Sequence, residues 1–176
     1  MIDLGRNQVS LYPNNGLTYN NNGGHIVFHG RCSIGNNSAI AIGKKGHVEF
    51  GKDFMATSTF RLASQYHIVF GDKVLFGWDC LVMDSDFHRL TKITGGYTKG
   101  YGAIKVGSNI WFGNGVLLLK NSQIPNYTVV GAKSVVCGKV DVSERSLVSG
   151  NPVTLKKRGV WLNPSDNFIN YETFQE

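Results

Sequence analysis

His88 closes the segment Asp84, Ser85, Asp86, Phe87, His88 and is the side chain best suited to proton transfer in this sequence. An imidazole titrates near neutral pH, so it can take a proton from a poor nucleophile such as an alcohol and hand it on within one cycle. Asp86 and Asp84 precede it in the same segment, and either carboxylate is placed to orient the ring. Four further histidines, His25, His29, His47 and His67, raise the alternative of a zinc enzyme, which needs three imidazoles converging on one ion. In the repeat described below, His25 and His29 come before the first regular coil and His47 sits beside an interruption. No common histidine face is expected, and no metal site.

Other residue types are less specific. Cys32, Cys80 and Cys137 are an odd, widely spaced set that fits neither a disulfide framework nor a CxxC metal site; small buried hydrophobes are expected at Cys32 and Cys80. The net charge of +6 is unevenly placed: residues 1–88 carry seven Lys or Arg against seven Asp or Glu, and residues 89–176 carry eleven against five. The excess favours an anionic ligand in the second half, where Lys156, Lys157 and Arg158 are consecutive. The basic residues are otherwise scattered and no recognition motif accompanies them, which argues against nucleic acid. No apolar run approaches a signal peptide or the ~20 residues of a membrane span, so a soluble, cytoplasmic protein is expected.

The elements that position these residues are announced by a period of six. Val106, Phe112, Leu118, Ile124, Val130 and Val136 recur at that spacing, with Gly107, Gly113 and Gly131 immediately after three of them and a small or β-branched residue at the fifth place of each hexad. Neither a helix nor an alternating strand has this period; hexapeptide repeats mark a parallel β-helix. Each flat wall is one short strand wide, and Gly and Asn suit its corners because they tolerate positive φ. The phase is already present at Phe28, Ile34 and Ile40, restarts four residues late at Phe50, Ala56 and Leu62, and two later again at Phe70, Phe76 and Val82. The natural place for the first displacement is Gly43 to Gly46. Residues 84–103 break the pattern, yet Val82 and Val106 stay in phase. A loop that leaves the stack and returns in register is therefore expected there, and long loops of this kind tend to be functional.

The domain reading is one β-helix over 25–153 with the 84–103 loop, preceded by a cap segment (1–24) and followed by a tail (154–176). The Asn- and Gly-rich cap reads as loop, with one short strand near Val9 to Tyr12. In the tail, Trp161, Phe168, Ile169 and Tyr171 are candidates for docking on a neighbour.

The ordered set Asp84 to His88, Trp111-Phe112-Gly113, Gly131 to Val136 and Gly150-Asn151-Pro152, within about residues 25–161, resembles hexapeptide-repeat acetyltransferases, particularly those acting on capsular, exopolysaccharide and lipopolysaccharide sugars. The resemblance implies an all-β, left-handed parallel β-helix, a homotrimer, and acetyl-CoA bound in a groove between neighbouring subunits. It identifies His88 with the family's essential histidine, acting as general base on a sugar hydroxyl; Asp86, two residues before it, is the carboxylate expected to orient the ring or hold the acceptor. It places Trp111, Asn114, Ala132 and Ser134 along the pantetheine and adenine path, with Gly113 allowing close approach. Lys156 and Lys157 are placed towards the ribose phosphate. Asp84, Asp86 and Trp78 are candidates for the acceptor sugar, with Tyr97 and Tyr101 as further stacking surfaces. The sequence departs from the family at Asn121 to Pro125, at Cys137-Gly138 and at Val153, all on turns or one expected cofactor contact. An N-acetyltransferase on an amino sugar and a non-catalytic binding scaffold are the alternatives.

Overall fold

The computed structural model describes residues 1–7, 11–163 and 165. Five coils follow a partial leading turn. That turn holds β1 (Ile2–Arg6) and β2 (Leu17–Asn21). The first coil holds β3 (His25–Phe28), β4 (Cys32–Gly35) and β5 (Ser38–Ile42); the second, β6 (His47–Phe50), β7 (Phe54–Ala56) and β8 (Arg61–Ser64); the third, β9 (His67–Phe70), β10 (Val74–Phe76) and β11 (Leu81–Met83). After the long insertion come β12 (Ile104–Val106), β13 (Ile110–Phe112) and β14 (Leu117–Leu119), then β15 (Gln123–Ile124), β16 (Thr128–Val130) and β17 (Val135–Val136), and finally β18 (Ser146–Gly150) and β19 (Val153–Arg158).

Up to β17 every third strand stacks in parallel on its predecessor, producing three walls, and β18 then stacks on β16. Wall A runs β1-β4-β7-β10-β13-β16-β18 and is extended by the antiparallel β19; wall B runs β2 to β17; wall C runs β3 to β15. The all-β stack of about six turns is the parallel β-helix that the repeat predicts, in keeping with the left-handed form that the resemblance implies.

The inward residues of the hexads are in register. Wall A pairs Ile34, Ala56, Phe76, Phe112, Val130 and Val148. Wall B pairs Ile40, Leu62, Val82, Leu118 and Val136. Wall C pairs Phe28, Phe50, Phe70, Val106 and Ile124, so the coils lengthen from 18 residues at the C-terminal end to 20 and 22 at the other. The extra residues of the first coil are a turn in which the Gly46 N–H donates to the Gly43 carbonyl at 2.9 Å, as the sequence spacing requires.

The longer coils enclose more volume, and aromatic rings fill it. Phe28, Phe50 and Phe70 stack at centroid separations of 5.3 and 5.5 Å, and Phe76 lies on Phe112 at 4.1 Å. Each fully buried Phe contributes about 1.5–3 kcal/mol by leaving water. One expectation fails here. The place four after each apolar residue is not reserved for small side chains, because the buried Phe54 and Phe60 occupy it on either side of the small Ala56. Their bulk fills the space that Ala56 leaves in wall A, so the volume is conserved over the coil rather than at each position.

The leading segment also differs from the loop reading. β1 and β2 pair with β4 and β5 because the first full coil presents an unpaired strand edge, and backbone pairing there overrides the Asn- and Gly-rich composition. Val9 of the expected short strand lies outside the described residues, and Tyr12 is in a bend. Phe168, Ile169 and Tyr171 likewise lie outside them, whereas Trp161 is exposed beside the Arg145 guanidinium, 5.2 Å from its ring.

Cys32 and Cys80 are fully buried and Cys137 is exposed, all as free thiols. Burial pushes the Cys32 thiol up to about 12 and the Cys80 thiol to about 11. Since the thiolate is the reactive form, iodoacetamide at pH 8 should label Cys137 alone in the native protein and all three thiols after unfolding, as read by intact mass. Labelling of Cys32 at the rate of Cys137 would contradict the packing.

Candidate active site

The insertion is a folded arm at the corner between walls B and C. Ser85 bridges Tyr101 and Thr91 bridges Tyr97 in antiparallel sense. The Asp86 N–H donates to the Gly100 carbonyl and the Thr98 N–H to the Leu90 carbonyl, each at 2.8 Å. Gly95 and Gly96 turn the tip with positive φ. His88 lies in a bend on the outgoing limb of this arm, in an open groove with Gln65, Phe87, Arg89, Lys99 and Tyr101. It is exposed, and its ring has no hydrogen-bond partner among the described residues. Phe87, immediately before it, holds φ 58°, a left-handed backbone that costs an L residue of this bulk about 1–2 kcal/mol. Such local strain is a feature of functional loops.

The two aspartates divide their roles sharply. Asp84 is fully buried: its Oδ1 accepts from the Gln65 N–H at 2.7 Å, and its Oδ2 accepts from the Ser64 hydroxyl at 2.8 Å and the Tyr66 N–H at 3.0 Å. These three bonds tie the root of the arm to the preceding coil, so the carboxylate faces the protein interior rather than a ligand. Asp86 is exposed and bidentate on Lys120 Nζ, at 2.7 and 2.9 Å, not on His88. Lys120 carries no motif in the sequence. The register Met83↔Leu119 places it beside the start of the arm, a relation visible once the insertion is counted as a whole coil.

The residues implicated in cofactor binding gather elsewhere, on wall A and at its corner with wall B. Trp111 points outward from β13 with 40% of its surface exposed. Gly113 lies under the next coil so closely that a Cβ there would be 2.7 Å from the Ala132 nitrogen, which accounts for glycine at this place. Asn114 and Ala132 occupy the same corner on successive coils, Ala132 exposed. The Asn114 Oδ1 and the nearby Trp78 Nε1 are both shielded from solvent and without a hydrogen-bond partner among the described residues. One unpaired acceptor and one unpaired donor at one corner fit an amide-bearing ligand such as pantetheine. Trp78 is thus beside Asn114 at the corner of walls A and B rather than beside the arm. It packs 6.4 Å from Tyr12, whose hydroxyl donates to Asp79 at 2.6 Å; that bond, with burial and the carboxylate charge, pushes the phenol up to about 12.

Ser134 is fully buried and its Oγ accepts from the Gly150 N–H at 3.1 Å, so it holds the β18 end rather than offering an exposed contact. Lys156 and Lys157 are exposed on β19. Tyr97 carries Arg89 over its ring at 3.9 Å and Tyr101 carries Lys99 at 4.7 Å, making both rings part of the arm's basic face.

One chain does not bring the two halves together. Asn114 lies in the turn from β13 in wall A to β14 in wall B, whereas the arm leaves between β11 in wall B and β12 in wall C. Wall B stands between His88 and the corner that carries Asn114 and Ala132.

Contrary to the expectation from the repeat, a histidine face does exist on wall C. His25, His47 and His67 pair directly across β3, β6 and β9, and His29 and Glu49 join them. The coil lengths of 22 and 20 residues, not 18, hide it from a strict hexad count.

No protein-family model matches the chain. Among curated proteins, a galactoside O-acetyltransferase of Lactococcus lactis is 28% identical over 130 residues, 72% of this chain and 58% of that protein. The chain therefore spans little more than half the length of that relative. Several solved structures share the fold. The polySia-specific acetyltransferase NeuO aligns with a TM-score of 0.60 at 16% identity, over 96% of this chain and 84% of that one. AntD, an N-acyltransferase from Bacillus cereus in complex with dTDP and 3-hydroxybutyryl-CoA, aligns with a TM-score of 0.58 at 17% identity, over 81% and 76%. The chain thus shares the β-helix fold of these acyltransferases and is similar over most of its length to an O-acetyltransferase. Among the described residues no helix is long and apolar enough to cross a membrane.

Proposed function

We propose that the chain is an acetyl-CoA-dependent O-acetyltransferase that acts on a sugar hydroxyl of a surface polysaccharide or its precursor. The observation that carries this reading is His88: an exposed imidazole without a partner, held on a strained arm of a hexapeptide-repeat β-helix, beside aromatic and basic side chains suited to a sugar face. The L. lactis relative, named for O-acetylation of galactosides, supports the choice of hydroxyl and substrate class.

His88 takes the proton of the acceptor hydroxyl as its oxygen attacks the thioester carbonyl, and returns it to the departing thiolate. A backbone N–H offsets the charge that develops on the carbonyl oxygen. Acetyl-CoA supplies the activated acyl group, and Trp111, Gly113, Asn114 and Ala132 hold it by the corner of walls A and B, with Lys156 and Lys157 towards its phosphates. Ser134 supports that wall from inside. Asp86, fixed by Lys120, positions the acceptor beside His88, and Asp84 anchors the arm.

The separation of the two halves by wall B supports an active site shared between subunits of a homotrimer. Outward on wall A, Met55, Leu75, Trp111, Val129 and Leu147 form an apolar stripe in register, with Met55 46% exposed, a surface suited to burial against a second copy.

The test is incubation of the protein with acetyl-CoA and galactosides or acidic glycans, followed by mass analysis of the acceptor. The expected product gains one acetyl group in a linkage cleaved by mild alkali, as an ester is. An alkali-stable amide would move the reaction to an amino sugar, and no acetyl-CoA binding by calorimetry would leave a scaffold.

A further inference from the structure

We propose that His47, Glu49 and His67 form a zinc site on wall C, independent of the acetyl-transfer reading. The sequence repeats a quartet at the start of each of the three N-terminal wall C strands: HIVF at 25–28, HVEF at 47–50 and HIVF at 67–70. Strand pairing sets His25, His47 and His67 directly one above another. In β6, Val48 and Phe50 point into the core while His47 and Glu49 point outward, so the ligating atoms share one face.

The geometry is close to that of a metal site. Glu49 Oε1 is 3.1 Å from His47 Nε2 and 3.7 Å from His67 Nε2, and the three ligand atoms lie within 4.8 Å of one another. Bonds of about 2.05 Å at a tetrahedral angle separate neighbouring ligands of zinc by about 3.3 Å. Small side-chain rotations therefore suffice to bring all three onto one ion.

Two further observations point to a ligand. The His67 Nε2 is shielded from solvent and makes no hydrogen bond, although it faces the cluster. A nitrogen in that position is costly unless something coordinates it. The second carboxylate oxygen of Glu49 is held by His29 Nε2 at 2.8 Å, the outer-shell contact that typically fixes a metal-binding carboxylate. Two imidazoles and one carboxylate match zinc better than the hard cations magnesium and calcium, which prefer oxygen alone. The ion would clamp the second coil to the third, with a fourth position left for water.

The full chain, stripped with EDTA and dialysed, is titrated with zinc chloride by calorimetry, and retained metal is counted by elemental analysis after gel filtration. One zinc per chain is expected. Glu49→Gln and His67→Gln should each weaken binding by more than about 100-fold, and His29→Gln by about 10–100-fold, with His88→Ala unchanged. Glu49→Gln is isosteric and on the surface, so it carries the test if His67→Gln fails to fold. Absence of retained zinc in the wild type, or wild-type affinity in Glu49→Gln, overturns the proposal.

Discussion

His88→Ala should lower kcat for acetyl transfer by about 10²–10⁴-fold while leaving the affinity for acetyl-CoA unchanged. The size follows from the chemistry, since without a base the acceptor must lose its proton to water while attacking. The unchanged affinity follows from placement, because His88 sits on the arm at the corner of walls B and C and the residues proposed to hold acetyl-CoA sit at the corner of walls A and B. A shared site adds a second expectation. Ala132→Trp, which fills the exposed corner proposed for acetyl-CoA, should be inactive alone. Mixed assemblies made by refolding it with an equal amount of His88→Ala should recover about a quarter of the wild-type rate, since that share of interfaces combines two intact halves. Steady-state kinetics and calorimetry measure both arms. A variant that loses acetyl-CoA affinity in step with kcat would assign His88 to binding instead.

Asp84→Ala should destabilise the protein by about 3 kcal/mol, lowering Tm by about 6–12 °C for a chain of this size. The carboxylate is fully buried and is the acceptor for two backbone N–H groups and one hydroxyl. Truncation strands those donors where water does not reach. Asp84→Asn should recover only part of the loss, because its amide nitrogen would face a donor on one side. Thermal unfolding followed by circular dichroism measures the effect. At temperatures well below the transition, the acceptor KM should stay at the wild-type value. A raised KM with an unchanged Tm would return Asp84 to the acceptor site.

The fold was largely legible because the inward residue of each hexad is an additive signal, repeated on all three walls. Phe28, Phe50 and Phe70 announce the coil lengths even where the period slips, and Val82 with Val106 announces the excursion between them. What escaped was set by contacts rather than pattern. β1 and β2 exist because a strand edge needed covering. Phe54 and Phe60 are large because Ala56 is small. The pairing of Asp86 with Lys120 and the burial of Asp84 depend on stacking across 34 and about 20 positions, where no local cue operates. The alignment of His25, His47 and His67 was legible in principle, since each stands three before a stacked Phe, but only to a count that follows the slipped register.

The way the arm joins the stack has a consequence for how such a protein diversifies. Ser85 and Tyr101 face each other in an antiparallel bridge, and β11 and β12 on either side keep the register of their walls. Facing residues of such a bridge are separated by only about 5 Å, so the arm meets the body through a narrow, fixed port. Any peptide whose ends meet at that spacing can be exchanged there without moving a single layer of the Phe core. Under the proposed function, acceptor choice resides in an interchangeable part, while the cofactor corner remains under the stricter packing that Gly113 and Ala132 impose.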